Sequence, residues 1–165
     1  MGSAQLITRF GDNTAGLSKE TLEELNRVYR PLSFAERIRR VYEDFPPDRI
    51  MVTSSFAATS AYFLHIISTI RPEQPVHFID TGYHFADTLK YRDYLVEKFG
   101  LQVVDVTPDP DHHQVSLENR MWETDPDLCC QVNKVNPLEE AKEDYDLWIS
   151  SLMGWQTEHL SLIHI

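Results

Sequence analysis

Apolar residues recur every three to four positions in two early stretches of the chain. Leu22, Leu25 and Val28 share one helical face behind Ser18, a residue suited to capping a first turn. Ile38, Val41, Tyr42 and Phe45 repeat the spacing behind Ser33, which forms a capping box with Glu36, and Pro46-Pro47 stops the run. The pattern then changes type. The runs "RIMVTS" (49–54), "PVHFID" (75–80) and "LQVVDV" (101–106) are short and apolar and predict strands, while "SAYFLHIIST" (60–69) and residues 85–99 predict the helices between them. Strands separated by helices of this length build βαβ units, so the fold class is α/β, a parallel sheet with flanking helices.

Residues 107–128, "TPDPDHHQVSLENRMWETDPDL", are polar, broken by proline and without period. They predict a long structureless loop, and such loops in compact domains tend to be functional. Beyond it, Asn136-Pro137 is expected to cap a helix with Glu139 and Glu140 in its first turn, and "DLWISSL" (146–152) reads as one more strand. Residues 1–15 are expected to be a loose arm and 16–159 one domain.

Composition narrows the function classes. A chain of 165 residues supports one domain with a real core, and 42% apolar with 25% charged residues excludes disorder throughout. The 26 acids against 15 bases leave a formal charge of −11, which argues against nucleic acid or an anionic membrane surface as a partner. Nothing in the sequence approaches a membrane span, and "MGSAQLITRF" lacks a signal peptide's apolar core, so a cytoplasmic protein is expected. The two cysteines are adjacent, which disfavours a disulfide framework and favours reduced thiols.

Three constellations could carry chemistry. In "VTSSFAATSAYFLH" a strand runs through small and hydroxyl residues into a helix, and Ser54, Ser55, Thr59 and Ser60 there could hold a phosphate or sulfate, although serine and threonine also cap helices of no function. In "HFIDTGYHFADT" a strand ends at Asp80 and turns through Thr81 and Gly82, where open α/β sheets bind ligands. Tyr83 and Phe85 could pack a base and Asp80 and Thr81 bond a sugar or ring nitrogen, unless this is an ordinary turn. The third is Cys129-Cys130 in "DPDLCCQVNK". Free cysteines usually end as small buried residues, yet this pair follows a polar stretch and precedes Lys134, whose charge would stabilise a thiolate. Two thiolates are half of an iron–sulfur ligand set, and zinc falls short too unless His112 and His113 join; paired histidines among acids are expected to be solvated.

Taken in order, "TSSFAATSAYFLH", "FIDTGYHFADT", "MWETDPDLCCQVNKVNPLEEA" and "WISSLMGWQT" resemble successive motifs of the adenylyl-sulfate and phosphoadenylyl-sulfate reductases, from about residue 34 to residue 159. The resemblance implies an adenine nucleotide α-hydrolase-like fold and reduction of activated sulfate to sulfite, with thioredoxin or glutaredoxin as donor, in sulfate assimilation and cysteine biosynthesis. It implies substrate contacts from Ser54, Ser55, Phe56, Thr59 and Ser60 at the phosphosulfate end and from Asp80, Thr81, Gly82 and Tyr83 near adenosine. It also implies that Cys129 and Cys130 are two ligands of a [4Fe–4S] cluster, found in the branch that mostly uses adenylyl sulfate, while the phosphoadenylyl branch generally lacks pair and cluster. Lys134 would act in catalysis between cluster and sulfate. A homo-oligomer stays open.

The chain departs from the family pattern at three places. The family's Ser-Phe-Gly is here Ser55-Phe56-Ala57, and alanine would cost roughly 1 kcal/mol if that position needs a positive φ. Met153 and Gly154 stand where two arginines are expected to neutralise the phosphosulfate, with Trp155-Gln156-Thr157 keeping the register. The second cysteine pair and the terminal Glu-Cys-Gly nucleophile are absent. "LSLIHI" (160–165) reads like a translated sequencing adapter, so the native sequence is expected to end near His159 and this chain alone to be inactive. The competing readings are an ATP pyrophosphatase-type adenylating enzyme and a non-catalytic nucleotide-binding remnant.

Overall fold

The computed structural model describes residues 19–150, in two compact units: one holds the residues before Asp48, the other Asp48–Ser151. The Ser18 cap, the arm over 1–15, Met153, Gly154 and the 160–165 tail lie outside the described residues. In the first unit, α1 (Lys19–Tyr29) and α2 (Phe34–Asp44) bury Leu25, Tyr29, Ile38 and Val41. The Ser33 box forms: the Ser33 amide donates to Glu36 Oε2 at 2.9 Å while the Glu36 amide donates to Ser33 Oγ. Asp44 is buried and accepts from Tyr29 Oη at 2.8 Å and Arg40 Nε at 2.7 Å through one oxygen.

The second unit is built on four parallel strands, β1 (Ile50–Thr53), β2 (Pro75–Ile79), β3 (Gln102–Val106) and β4 (Leu147–Ser150), in the order β3-β2-β1-β4. Val52 pairs with Val76, Val76 with Val103 and Val52 with Ile149. The central β1 is buried at every residue, which explains its unbroken apolar run, whereas the edge strand β3 is buried only at Val106 and exposes Val104. Between the strands run α3 (Ala61–Ile70), which buries Phe63, Leu64 and Ile67, and α4 (Ala86–Phe99). Gly100 ends α4 at φ 63°, and its amide donates back to the Val96 carbonyl. The chain steps from β1 outward to β3, then returns to the far side of β1 as β4. That reversal is a topological switch point, and the crevice at the carboxyl ends of such strands is where α/β sheets place ligands.

The long loop expected over 107–128 is mostly helical. It holds α5 (Pro110–Glu118), the short α6 (Met121–Thr124) and α7 (Pro126–Cys130). Both longer stretches begin with an aspartate cap and a proline: Asp109 accepts from the Asp111 and His112 amides, and Asp125 from the Leu128 amide at 3.1 Å. Asn136-Pro137 opens a helix with Glu139 in its first turn, as expected, but does not cap it. From α7 the chain continues through a π turn, Gln131–Val135, directly into α8 (Asn136–Lys142), and Asn136 itself is helical at φ −58°. The amide of Asn136 donates to the Gln131 carbonyl, five residues back.

Candidate functional site

Parallel pairing of β1 with β2 puts the segment after each strand on the same carboxyl edge of the sheet. After β1, Ser54 is buried and its Oγ accepts from the Phe56 amide at 3.0 Å. This bond closes a tight turn in which Phe56 takes φ 51°, with its ring buried edge-on against Phe78, centroids 5.7 Å apart. Ala57 sits at φ −64°, so the substitution of alanine for glycine carries no left-handed penalty; phenylalanine bears it instead. Ser55 and Thr59 face solvent on this loop, while Ser60 is buried at the start of α3.

After β2, Asp80 and Thr81 fold their own side chains into the turn: Gly82 N donates to Asp80 Oδ1 at 3.0 Å and Tyr83 N to Thr81 Oγ1 at 3.3 Å. Gly82 is required on two counts. Its φ is +74°, and a Cβ there would come within 2.6 Å of His113 Cε1 and Nε2. Phe85, expected to help pack a base, projects into solvent at 83% exposure and plays no part in the pocket.

A cavity of about 450 Å³ opens beside this turn, lined by Thr81, Tyr83, Trp122, Pro126, Cys129, Cys130, Asn133 and Lys134. The fold thus gathers two of the expected groups, Thr81 and Tyr83 with Cys129, Cys130 and Lys134. Asp80 and the 54–60 loop do not line it. Tyr83 packs on Trp122 and on His113 at centroid distances of 5.5 and 5.4 Å.

Behind the cavity wall lies a polar network that the sequence did not disclose. Ser116, fully buried, meets Tyr83 Oη at 3.0 Å and accepts from Asn133 Nδ2 at 2.9 Å. Asn133 Nδ2 also donates to the Cys129 carbonyl at 2.9 Å, and Asn133 Oδ1 faces His113 Nδ1 at 2.7 Å. A carbonyl only accepts, so the amide orientation is fixed and His113 carries its proton on Nδ1. His112 is solvated as expected, near Asp109, whereas His113 is half-buried and committed to Asn133. The signal for this network was the helical spacing of His113 and Ser116, hidden in what read as a loop.

The cysteines differ from each other. Cys130 is exposed at the cavity; Cys129 is buried, 8% exposed, with Ser116 Oγ and Asn133 Nδ2 each 3.7 Å from its sulfur. Among the described residues no group of three or more His, Cys, Asp or Glu is arranged to hold a metal ion.

Comparison with known proteins gives this geometry a context. Residues 49–154 match the family model for the phosphoadenosine phosphosulfate reductase domain. An adenosine 5'-phosphosulfate reductase of Mesorhizobium japonicum is 33% identical over 91% of this chain and 59% of its own length. A phosphoadenosine 5'-phosphosulfate reductase of Thiocapsa roseopersicina is 35% identical over 82% of this chain and 59% of its own. A third, the adenosine 5'-phosphosulfate reductase of Halalkalibacterium halodurans, is 31% identical over 79% and 58%. The chain therefore spans a little over half the length of these relatives. Among solved structures, a phosphoadenylyl-sulfate reductase from Candida auris in a phosphate complex superposes with a TM-score of 0.70 at 23% identity, covering 85% of this chain and 70% of that one. That likeness shows the fold, the adenine nucleotide α-hydrolase-like arrangement.

The expected [4Fe–4S] cluster is overturned. The matching family model is that of the phosphoadenosine phosphosulfate reductases, one relative bears that name, and this is the cluster-free branch. The donor set agrees, because Cys129 and Cys130 find no third ligand among the described residues and the Cys129 sulfur is already engaged with Ser116 and Asn133.

Proposed function

Because the chain belongs to the phosphoadenosine phosphosulfate reductase domain family, we propose that it forms the nucleotide-binding part of an oxidoreductase that converts adenylyl sulfate, or its 3'-phosphorylated form, to sulfite. The nucleotide product is adenosine monophosphate or its 3'-phosphorylated form, and thioredoxin or glutaredoxin supplies the electrons. The observation that carries the reading is the meeting of Thr81 and Tyr83 with Lys134 in one cavity on the carboxyl side of the sheet. At about 450 Å³ it falls inside the range of roughly 300–1,000 Å³ usual for small-molecule sites.

Lys134 is the one cation among the lining residues of a protein whose net charge of −11 otherwise repels anions. It is assigned to the sulfate. Tyr83 and Trp122 offer aromatic faces, and Thr81 a hydroxyl. Ser55 and Thr59 on the loop after β1 are assigned to the phosphosulfate end, with Ser54, Phe56 and Ser60 shaping that loop from inside; Asp80 and Gly82 hold the turn near adenosine.

Calorimetry of the chain with adenylyl sulfate and with adenosine monophosphate tests this. The sulfated nucleotide is expected to bind more tightly, and Lys134→Ala to weaken it by about tenfold while leaving the monophosphate unchanged. Equal affinities for the two nucleotides, or an indifferent Lys134→Ala, would overturn the reading.

A further inference from the structure

We propose that His113, which does not line the cavity, is a positioning residue that locks the turn carrying Thr81 and Tyr83 to the π turn carrying Lys134; the ligand side of this inference rests on the reading above. Three observations meet in the one imidazole. Its edge fills the space that a side chain at residue 82 would take, 2.6 Å from where that Cβ would lie, so the Thr81-Gly82-Tyr83 backbone rests on the ring. Its Nδ1–H donates to Asn133 Oδ1 at 2.7 Å, and Asn133 is 2% exposed, in the middle of the π turn Gln131–Val135. Its ring makes a T-shaped contact with Tyr83, centroids 5.4 Å apart at an interplanar angle of 70°.

The two turns come from distant parts of the sequence, and each is irregular. A π turn gives up favourable helical geometry and persists only where its surroundings fix it. Here the fixing partners are Asn133's bonds to the Cys129 carbonyl, to Ser116 Oγ and to His113. Ser116 passes the constraint on to Tyr83 Oη at 3.0 Å, so His113 and Ser116, one helical turn apart on α5, hold both walls of the cavity. Lys134 is the residue after Asn133. If the π turn relaxes to α, the Lys134 side chain swings by about 100° around the helix axis, which is one residue's rotation.

Two variants separate the donor from the ring. His113→Phe keeps a ring against Gly82 and removes the donor; His113→Asn puts an amide N–H near the place of Nδ1 and removes the ring. The first readout needs no nucleotide: iodoacetamide labelling of the chain followed by mass spectrometry. Wild type is expected to label at Cys130 with Cys129 protected, His113→Phe to raise Cys129 labelling about tenfold, and His113→Asn to restore protection. The second readout is calorimetry, in which His113→Phe is expected to weaken adenylyl sulfate by about tenfold with adenosine monophosphate unchanged, and His113→Asn to recover the difference. Protection of Cys129 in His113→Phe equal to that in wild type overturns the proposal. So does an equal loss for both nucleotides, or a His113→Asn variant that behaves like His113→Phe. If wild type binds neither nucleotide while the labelling follows the expected order, the brace stands and the assignment of the cavity falls.

Discussion

Phe56 holds the left-handed backbone that the loop after β1 needs, at φ 51°, and Ala57 beside it is extended at φ −64° and ψ 159°. Strain of about 1 kcal/mol on a bulky residue is sustained by the burial of its ring against Phe78. Ala57→Gly is therefore expected to bring no relief: it adds freedom to the unfolded chain and should lower stability by about 0.4–1 kcal/mol in urea unfolding. A gain in stability would show that residue 57, not 56, carries the strain. The reverse holds at Gly82, where Ala must adopt φ +74° and collide with the His113 ring. Gly82→Ala should cost more than 1 kcal/mol, about the left-handed penalty alone, and should expose Cys129 to iodoacetamide; a melting temperature equal to wild type would contradict the packing described.

The helices of the 107–142 region stand on caps. Asp125 accepts from the Leu128 amide and precedes Pro126, and it starts a run that passes through α7, the π turn and α8 without a break. Asp125→Ala should cost about 1 kcal/mol, and amide hydrogen exchange over 126–135 should accelerate before that of β1 or β2; uniform acceleration across the chain would contradict a local role for the cap. The same region shows why part of this fold could be read from sequence and part could not. The alternation of apolar strands and helices over 49–106 reflects burial of β1 and β2 on both faces, and it survives into the structure almost residue for residue. In α5 the exposed Val115 and Leu117 face solvent and the buried residue is Ser116, so hydrophobic periodicity points the wrong way. Only Asp109-Pro110 and Asp125-Pro126 marked the starts, and both resemble turn signals as readily as caps. Thr81, Tyr83 and Lys134, which meet in the cavity, were legible as candidates because their types carry chemistry. Asn133 and His113 were not, because their role depends on a π turn that no local pattern encodes.

Across the whole sheet, buried His77 ties the strands together. Its Nδ1 donates to the Val52 carbonyl on β1 at 3.2 Å, and its Nε2 accepts from Tyr145 Oη, just before β4, at 3.2 Å. Burial holds the imidazole pKa below its ordinary 6.5, partly opposed by the bond to Val52. Between that lowered value and 6.5 the unfolded chain binds more protons than the folded one, so stability is fully present above about pH 6.5 and is lost as pH falls through the folded pKa. Urea midpoints should decline from pH 7.5 to about 5, and His77→Gln should flatten that decline; a variant with the same slope as wild type would remove His77 from the cause. Further along the chain, the five-back bond from Asn136 to Gln131 means that one extra residue is accommodated between Cys130 and α8. Loss of a single amino acid there would restore an ordinary α-helix and leave the downstream side chains facing much as they do now, but it would close the widened turn that carries Asn133 and Lys134. The site's geometry is in that sense a matter of counting: it depends on how many residues stand between the cap at Asp125 and Pro137 as much as on which ones they are.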